Sequence, residues 1–194
     1  MNTFQLYFQL GISHITDIQG YDHILFLITL CAVYCLNQWK SILVLITAFT
    51  IGHCTTLVLA TYNIVRISSE LIEFLIPVTI LVTAIANIVQ KDNLASNTLH
   101  YIKYIAALFF GLIHGLGFSN YLKSLLGMEI SIIKPLLAFN IGIELGQIFV
   151  VLIILGITAL ITNVLKFNKR EWNMILSGAG AGVSLILIIE RFPF

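Results

Sequence analysis

Residues 14–27 read HITDIQGYDHILFL, and their end opens an apolar run, ILFLITLCAVYCL, that is typical of a membrane segment. Two histidines and two aspartates therefore stand at the entrance of an apolar helix. An ionisable side chain inside a membrane helix costs roughly 2.5–3.5 kcal/mol on insertion scales, so such groups need partners inside the protein. The first question is which groups compensate Asp22 and His23.

Composition indicates an integral membrane protein. Of the 194 residues, 59% are hydrophobic and 10% are charged, whereas soluble domains carry about 25% charged residues. The mean hydropathy is +1.00. About 20 apolar residues cross a bilayer, and the chain offers six such runs: 21–37, 42–62, 69–90, 101–121, 134–165 and 172–190. The sequence predicts an all-α bundle of six transmembrane helices, forming one polytopic membrane domain over residues 1–194.

The first 18 residues precede these runs. Phe4, Tyr7, Phe8 and Ile15 fall on helical spacing, which predicts a short amphipathic helix lying at the membrane interface. A net charge of +1 without a long basic tract gives no reason to expect nucleic acid as a partner. The expected partners are the lipid bilayer and a small ligand, and a bundle of this kind is also compatible with a homo-oligomer. The expected location is a bacterial-type plasma membrane.

Lysine and arginine counts suggest an orientation, because they are more frequent in loops on the inner side. With the N-terminus outside, the inner side carries Lys40, Lys91, Lys103, Lys166, Lys169 and Arg170, and the outer side carries Arg66, Lys123, Lys134 and Arg191. Six against four favours both termini outside.

Ionisable residues on four predicted helices then reach a similar depth in the outer half of the bundle. They are Asp22, His23, His53, His114 and Glu144. Imidazole nitrogens and carboxylates together are ligands for a divalent transition metal such as nickel, cobalt or zinc. His14 stands close enough in sequence to act as an outer ligand. Asp22 and Glu144 could each bind the metal or orient a histidine through a hydrogen bond.

Further polar residues could support this site or simply join helices. Asn140 and Gln147 share a helix face with Glu144, and they suit interhelical hydrogen bonds equally well. Thr79, Thr83 and Asn87 recur at i, i+4 and i+8 and form a polar line that leads inward, although membrane threonines often bond to their own helix. Three glycine pairs predict close helix packing: Gly111 with Gly115, Gly142 with Gly146, and Gly178 with Gly182.

The ordered segments HITDIQGYDHILFL, AFTIGHCTTLVLA, FGLIHGLGF and FNIGIELGQ resemble the HupE/UreJ family of hydrogenase and urease accessory membrane proteins, in particular its second branch. The resemblance implies nickel or cobalt permease activity. It also implies that the matching histidine, aspartate and glutamate residues handle the metal: His14, Asp22, His23, His53, His114 and Glu144.

The hypothesis that follows is a permease rather than an enzyme, with a His/Asp/Glu site in the outer half of the bundle. The alternative is an intramembrane zinc-dependent hydrolase acting on a lipid or another amide or ester. In that case the histidines and Asp22 would hold zinc with an open position for water, and Glu144 would be the general base. A third interpretation is a metal-stabilised scaffold without transport.

Overall fold

The computed structural model describes residues 2–90, 97–127 and 131–193, with residues 97–100 described by backbone alone. The described part contains seven α-helices and no strand. They are α1 (Thr3–Thr16), α2 (Asp22–Cys31), α3 (Trp39–Thr61), α4 (Ser69–Val89), α5 (Asn97–Leu126), α6 (Ile133–Ala159) and α7 (Lys169–Glu190). A short 3-10 turn precedes α3, and a π-helical turn continues α6.

Five of these helices, α3 to α7, are long and apolar enough to cross a membrane, which agrees with an integral membrane protein. The first predicted span, 21–37, is different. Its helix, α2, has only ten residues and ends at Cys31, whereas a crossing needs about 20. The structure therefore supports an all-helical protein with five candidate spans, and a sixth span is not confirmed.

Helices α3 and α5 run in the same direction and touch through glycines. A Cβ added to Gly52 would lie 2.9 Å from the backbone nitrogen of Leu112, and one added to Gly111 would lie 2.9 Å from the carbonyl carbon of Phe49. Such distances leave no room for any side chain, because real Cβ atoms essentially never come that close. A Cβ added to Gly115 would likewise lie 2.9 Å from the carbonyl carbon of His53. The close approach of the two backbones therefore depends on these glycines, as the sequence predicted for Gly111 and Gly115.

Helix α1 packs lengthwise against α6, again through glycines. A Cβ on Gly11 would lie 3.1 Å from the Cα of Gly142, and a Cβ on Gly142 would meet the backbone of α1 at the same distance. Tyr7, Gly11 and Ile15 are buried in this contact. The predicted interfacial position of this segment is not confirmed. Close packing was also predicted at Gly178 and Gly182. Among the described residues this prediction is wrong, because a Cβ added to either glycine would have no atom within 4 Å.

A polar cluster joins α2, α4 and α7 at the end of α4. The Asn87 amide donates to the carbonyl of Thr29 at 2.7 Å and to the hydroxyl of Ser177 at 3.3 Å. The guanidinium of Arg170 donates to the carbonyls of Asn87, Ile88 and Gln90, which are among the carbonyls left without a helical partner at a C-terminus. Asn87 therefore serves helix packing in this structure.

Candidate functional site

Four histidines from four helices form one cluster. His14 is near the end of α1, His23 is in the first turn of α2, and His53 and His114 lie within α3 and α5. The centroid of the His23 ring lies 4.4 Å from that of His14, 5.5 Å from that of His114 and 6.1 Å from that of His53. The His14 and His53 centroids are 5.7 Å apart. His23 is therefore the centre of the cluster.

Three of the four histidines are buried, and most of the ring nitrogens in the cluster are inaccessible and have no partner. The side chains of His23, His53 and His114 are 8%, 0% and 1% exposed. No hydrogen bond reaches Nε2 of His14, Nε2 of His23, Nδ1 of His114 or either ring nitrogen of His53, although these atoms are inaccessible to solvent. Buried polar groups are normally satisfied, so a concentration of exceptions indicates a missing ligand or water.

Asp22 lies beside the cluster, next to His23 in the first turn of α2. Its Oδ2 accepts a 2.9 Å hydrogen bond from the guanidinium of Arg191, which forms a partly buried ion pair. Its Oδ1 is buried and has no partner. The guanidinium of Arg191 thus offsets the charge of the carboxylate through Oδ2, while Oδ1 can still accept another bond.

Phenylalanine rings enclose the histidines on two sides. On one side, the Phe118 centroid is 4.0 Å from that of His14, and Phe118 stacks on Phe139 at 5.2 Å. On the other side, the centroids of Phe26 and Phe49 lie 5.2 and 5.1 Å from that of His114. Apolar walls of this kind lower the local dielectric constant, which strengthens any electrostatic interaction formed beside them.

Glu144 is not joined to this cluster by any contact of the described residues. Its Oε1 accepts a 2.8 Å hydrogen bond from the hydroxyl of Thr47, at a contact between α3 and α6. Gln147 is buried one turn further along α6 and accepts a 2.8 Å bond from Thr50. Asn140, on the same face, has a buried Oδ1 without a partner. The first two of these residues join α6 to α3 rather than contact the histidine rings.

The predicted polar line on α4 reaches the cluster only at its first member. The Thr79 hydroxyl lies 3.1 Å from Nε2 of His114. Thr83 donates to the carbonyl of Thr79 on its own helix, and Asn87 belongs to the polar cluster described above.

Two cavities lie near the cluster, one beside Phe118 and one beside Phe110. One of about 670 Å³ is bounded by the turn between α1 and α2 and reaches His14 and Phe118. The other, of about 410 Å³, lies among α2, α4 and α5, and its polar lining includes Thr83, Asn87 and Lys103. Phe110 lines this second cavity and its ring centroid is 6.4 Å from that of Phe26. Rings at Phe26 and Phe110 therefore stand between the histidines and the second cavity.

The separations within the cluster suit a shared metal ion, although the ring orientations do not yet form a site. Metal–nitrogen bonds of 2.0–2.1 Å at tetrahedral angles place two ligating imidazole centroids about 5 Å apart, and the three centroid distances from His23 are 4.4, 5.5 and 6.1 Å. Within the described residues, no group of three or more His, Cys, Asp or Glu side chains is arranged to hold an ion. Rotation about Cβ–Cγ changes where a ring nitrogen points and leaves the centroid nearly in place.

Sequence reasoning missed two features of the site. The aromatic walls had a local signal, because Phe49 lies four residues before His53 and Phe118 four residues after His114, and that spacing puts side chains on one helix face. The partner of Asp22 had none. Arg191 is 169 positions away, so only the packing of the chain ends reveals it.

Comparisons with known proteins give one result. The family described as HupE / UreJ protein matches residues 1–191. No curated protein and no solved structure was found to match.

Proposed function

Because this chain belongs to the HupE/UreJ family, we propose that it binds a divalent transition metal of the nickel or cobalt type at the histidine cluster and carries it across the membrane. Family membership supports a metal-related role. The observation that carries the proposal is the cluster itself, in which each of four imidazoles has an unpartnered nitrogen and the His23 centroid lies 4.4–6.1 Å from those of the other three.

The ligands in this proposal are His14, His23, His53 and His114, with Asp22 as the nearest source of negative charge. Neutral imidazoles bind the ion without neutralising it, and a dication in a low-dielectric site needs a counter-charge. The unpartnered Oδ1 of Asp22 supplies that charge. Arg191 occupies the other oxygen and therefore competes electrostatically with the metal.

The break between α1 and α2 supports transport. The two helices have 14 and 10 residues, so placed end to end they would measure about 36 Å at 1.5 Å per residue. In this proposal they form the sixth crossing as two half-helices. The break would then lie at His14 and Asp22, and broken membrane helices are where many transporters hold their substrate. The carbonyl end of α1 also favours a cation.

In this proposal the two cavities are the two ends of the route. The larger one gives access to His14, and the smaller one would receive the ion on the other side of Phe26, Phe49 and Phe110. The Phe26 and Phe49 rings are stacked at 4.8 Å and close this route. Passage in this proposal therefore requires the rings to move, which gives a carrier rather than an open channel.

No described contact favours the hydrolase alternative. A general base must come within about 3 Å of the water that it activates, whereas the described contact of Glu144 is with Thr47. The proposal therefore places Glu144 outside the ligand set and treats the metal as cargo.

The test is metal binding and uptake by the purified protein. Wild type should bind about one Ni²⁺ or Co²⁺ per chain and accumulate it in proteoliposomes, whereas His53→Ala and His114→Ala should lose most of both. His100→Ala is the matched control, because its backbone lies 14 residues before His114, or about 21 Å along α5. Equal metal content in all four proteins would refute the site, and binding without uptake would refute transport.

A further inference from the structure

We propose that Thr79 is a positioning residue that fixes the tautomer of His114 and so leaves a lone pair on Nδ1 that is available to a metal ion. The position of one hydrogen atom on the His114 ring follows from the contacts between α4 and α5. Its consequence for metal affinity rests on the proposed function above.

The Thr79 hydroxyl has two polar neighbours. This hydroxyl lies 2.7 Å from the carbonyl oxygen of Ile76 and 3.1 Å from Nε2 of His114. A hydroxyl has one hydrogen, and a carbonyl oxygen can only accept. Two oxygens at 2.7 Å need a hydrogen between them, so the Thr79 hydrogen points to Ile76. The Thr79 oxygen is then left as an acceptor.

The Thr79 hydroxyl also determines which ring nitrogen of His114 carries the hydrogen. Since the Thr79 hydroxyl has no second hydrogen, the bond at 3.1 Å requires the hydrogen on Nε2 of His114. A neutral imidazole with a hydrogen on Nε2 has a lone pair on Nδ1. That Nδ1 is the buried atom for which no hydrogen bond is found.

The contact between Thr79 and His114 is shielded from water. Thr79 is 4% exposed and His114 is 1% exposed, so water has little access to replace the hydroxyl as an acceptor. Histidines that ligate a metal usually donate their other ring hydrogen in the same way, and this second bond sets both the tautomer and the orientation of the ring. Of the four histidines in the cluster, His114 is the one whose ring has a hydrogen-bond partner among the described residues.

The test compares three substitutions by titration of the purified protein with Ni²⁺. Thr79→Val keeps the shape of the side chain and removes the acceptor, so affinity should fall about 10–100-fold, the usual effect of losing such a partner. Thr79→Ser should restore most of it. Thr61→Val is the matched control, because the Thr61 hydroxyl donates to the carbonyl of Leu57 on its own helix, and it should bind like wild type. Equal affinity in Thr79→Val and Thr61→Val would overturn the role in binding.

A second measurement needs no metal. Nitrogen NMR of the metal-free protein labelled in histidine should show the His114 hydrogen on Nε2, with the signal assigned by its loss in His114→Gln. In Thr79→Val this preference should disappear. A hydrogen on Nδ1 in the wild type would overturn the inference. Absence of Ni²⁺ binding by wild type would refute the proposed function instead, while the NMR result would still decide the tautomer.

Discussion

Gly111→Ala tests whether close contact between α3 and α5 holds the histidines in place. The new Cβ would lie 2.9 Å from the carbonyl carbon of Phe49 and 3.1 Å from the backbone nitrogen of His53. Ordinary contact starts at 3.4 Å, so the difference between 3.4 and 2.9 requires the helices to separate by about 0.5 Å or more in this close-packed region. Because both obstacles are backbone atoms, no side-chain rotation can relieve the clash.

Overpacking of this kind costs about 1–3 kcal/mol, which corresponds to a fall in Tm of roughly 2–12 °C for a chain of this length. Thermal unfolding in one detergent would measure it, and Ni²⁺ titration would report the accompanying displacement of His53. Gly182→Ala is the matched control, since its Cβ would meet nothing within 4 Å. Alanine is favoured over glycine inside a helix by about 0.5–1 kcal/mol, so this variant should melt at or above the wild-type temperature. A Gly111→Ala protein as stable as wild type would refute the packing argument.

Three further outcomes are expected. Arg191→Gln removes the cation paired with Asp22 and should raise Ni²⁺ affinity; a lower affinity would show that Arg191 supports the site. Glu144→Gln should leave that affinity within about twofold, because the described contact of Glu144 is with Thr47 and not with a histidine of the cluster; a large loss would return Glu144 to the ligand set. With both termini outside, a cysteine replacing Lys169 in a variant without the three native cysteines should react with an impermeant thiol reagent only from the inside, and reaction from outside would reverse the orientation.

Two features of this protein are local enough to be predicted from the amino-acid sequence. Hydropathy depends only on the local run of side chains, so the membrane character and five of the six predicted apolar runs could be predicted without knowledge of tertiary contacts. The cost of placing an ionisable group among apolar residues is also local, and it identified His23, His53 and His114. The close contact at Gly111 followed from small residues four positions apart.

Contacts between these residues depend on how distant segments of the chain pack. It joined histidines from α1, α2, α3 and α5, and it associated Glu144 with Thr47, although the spacing on α6 gave no sign of this. It also showed that the first apolar run contains only a ten-residue helix, with α1 packed against α6 before it. The physical reason is that periodicity fixes which face of a helix a residue occupies, whereas the facing helix is chosen by contacts between distant segments. The bond from Arg191 to Asp22, across 169 positions, is decided entirely at that level.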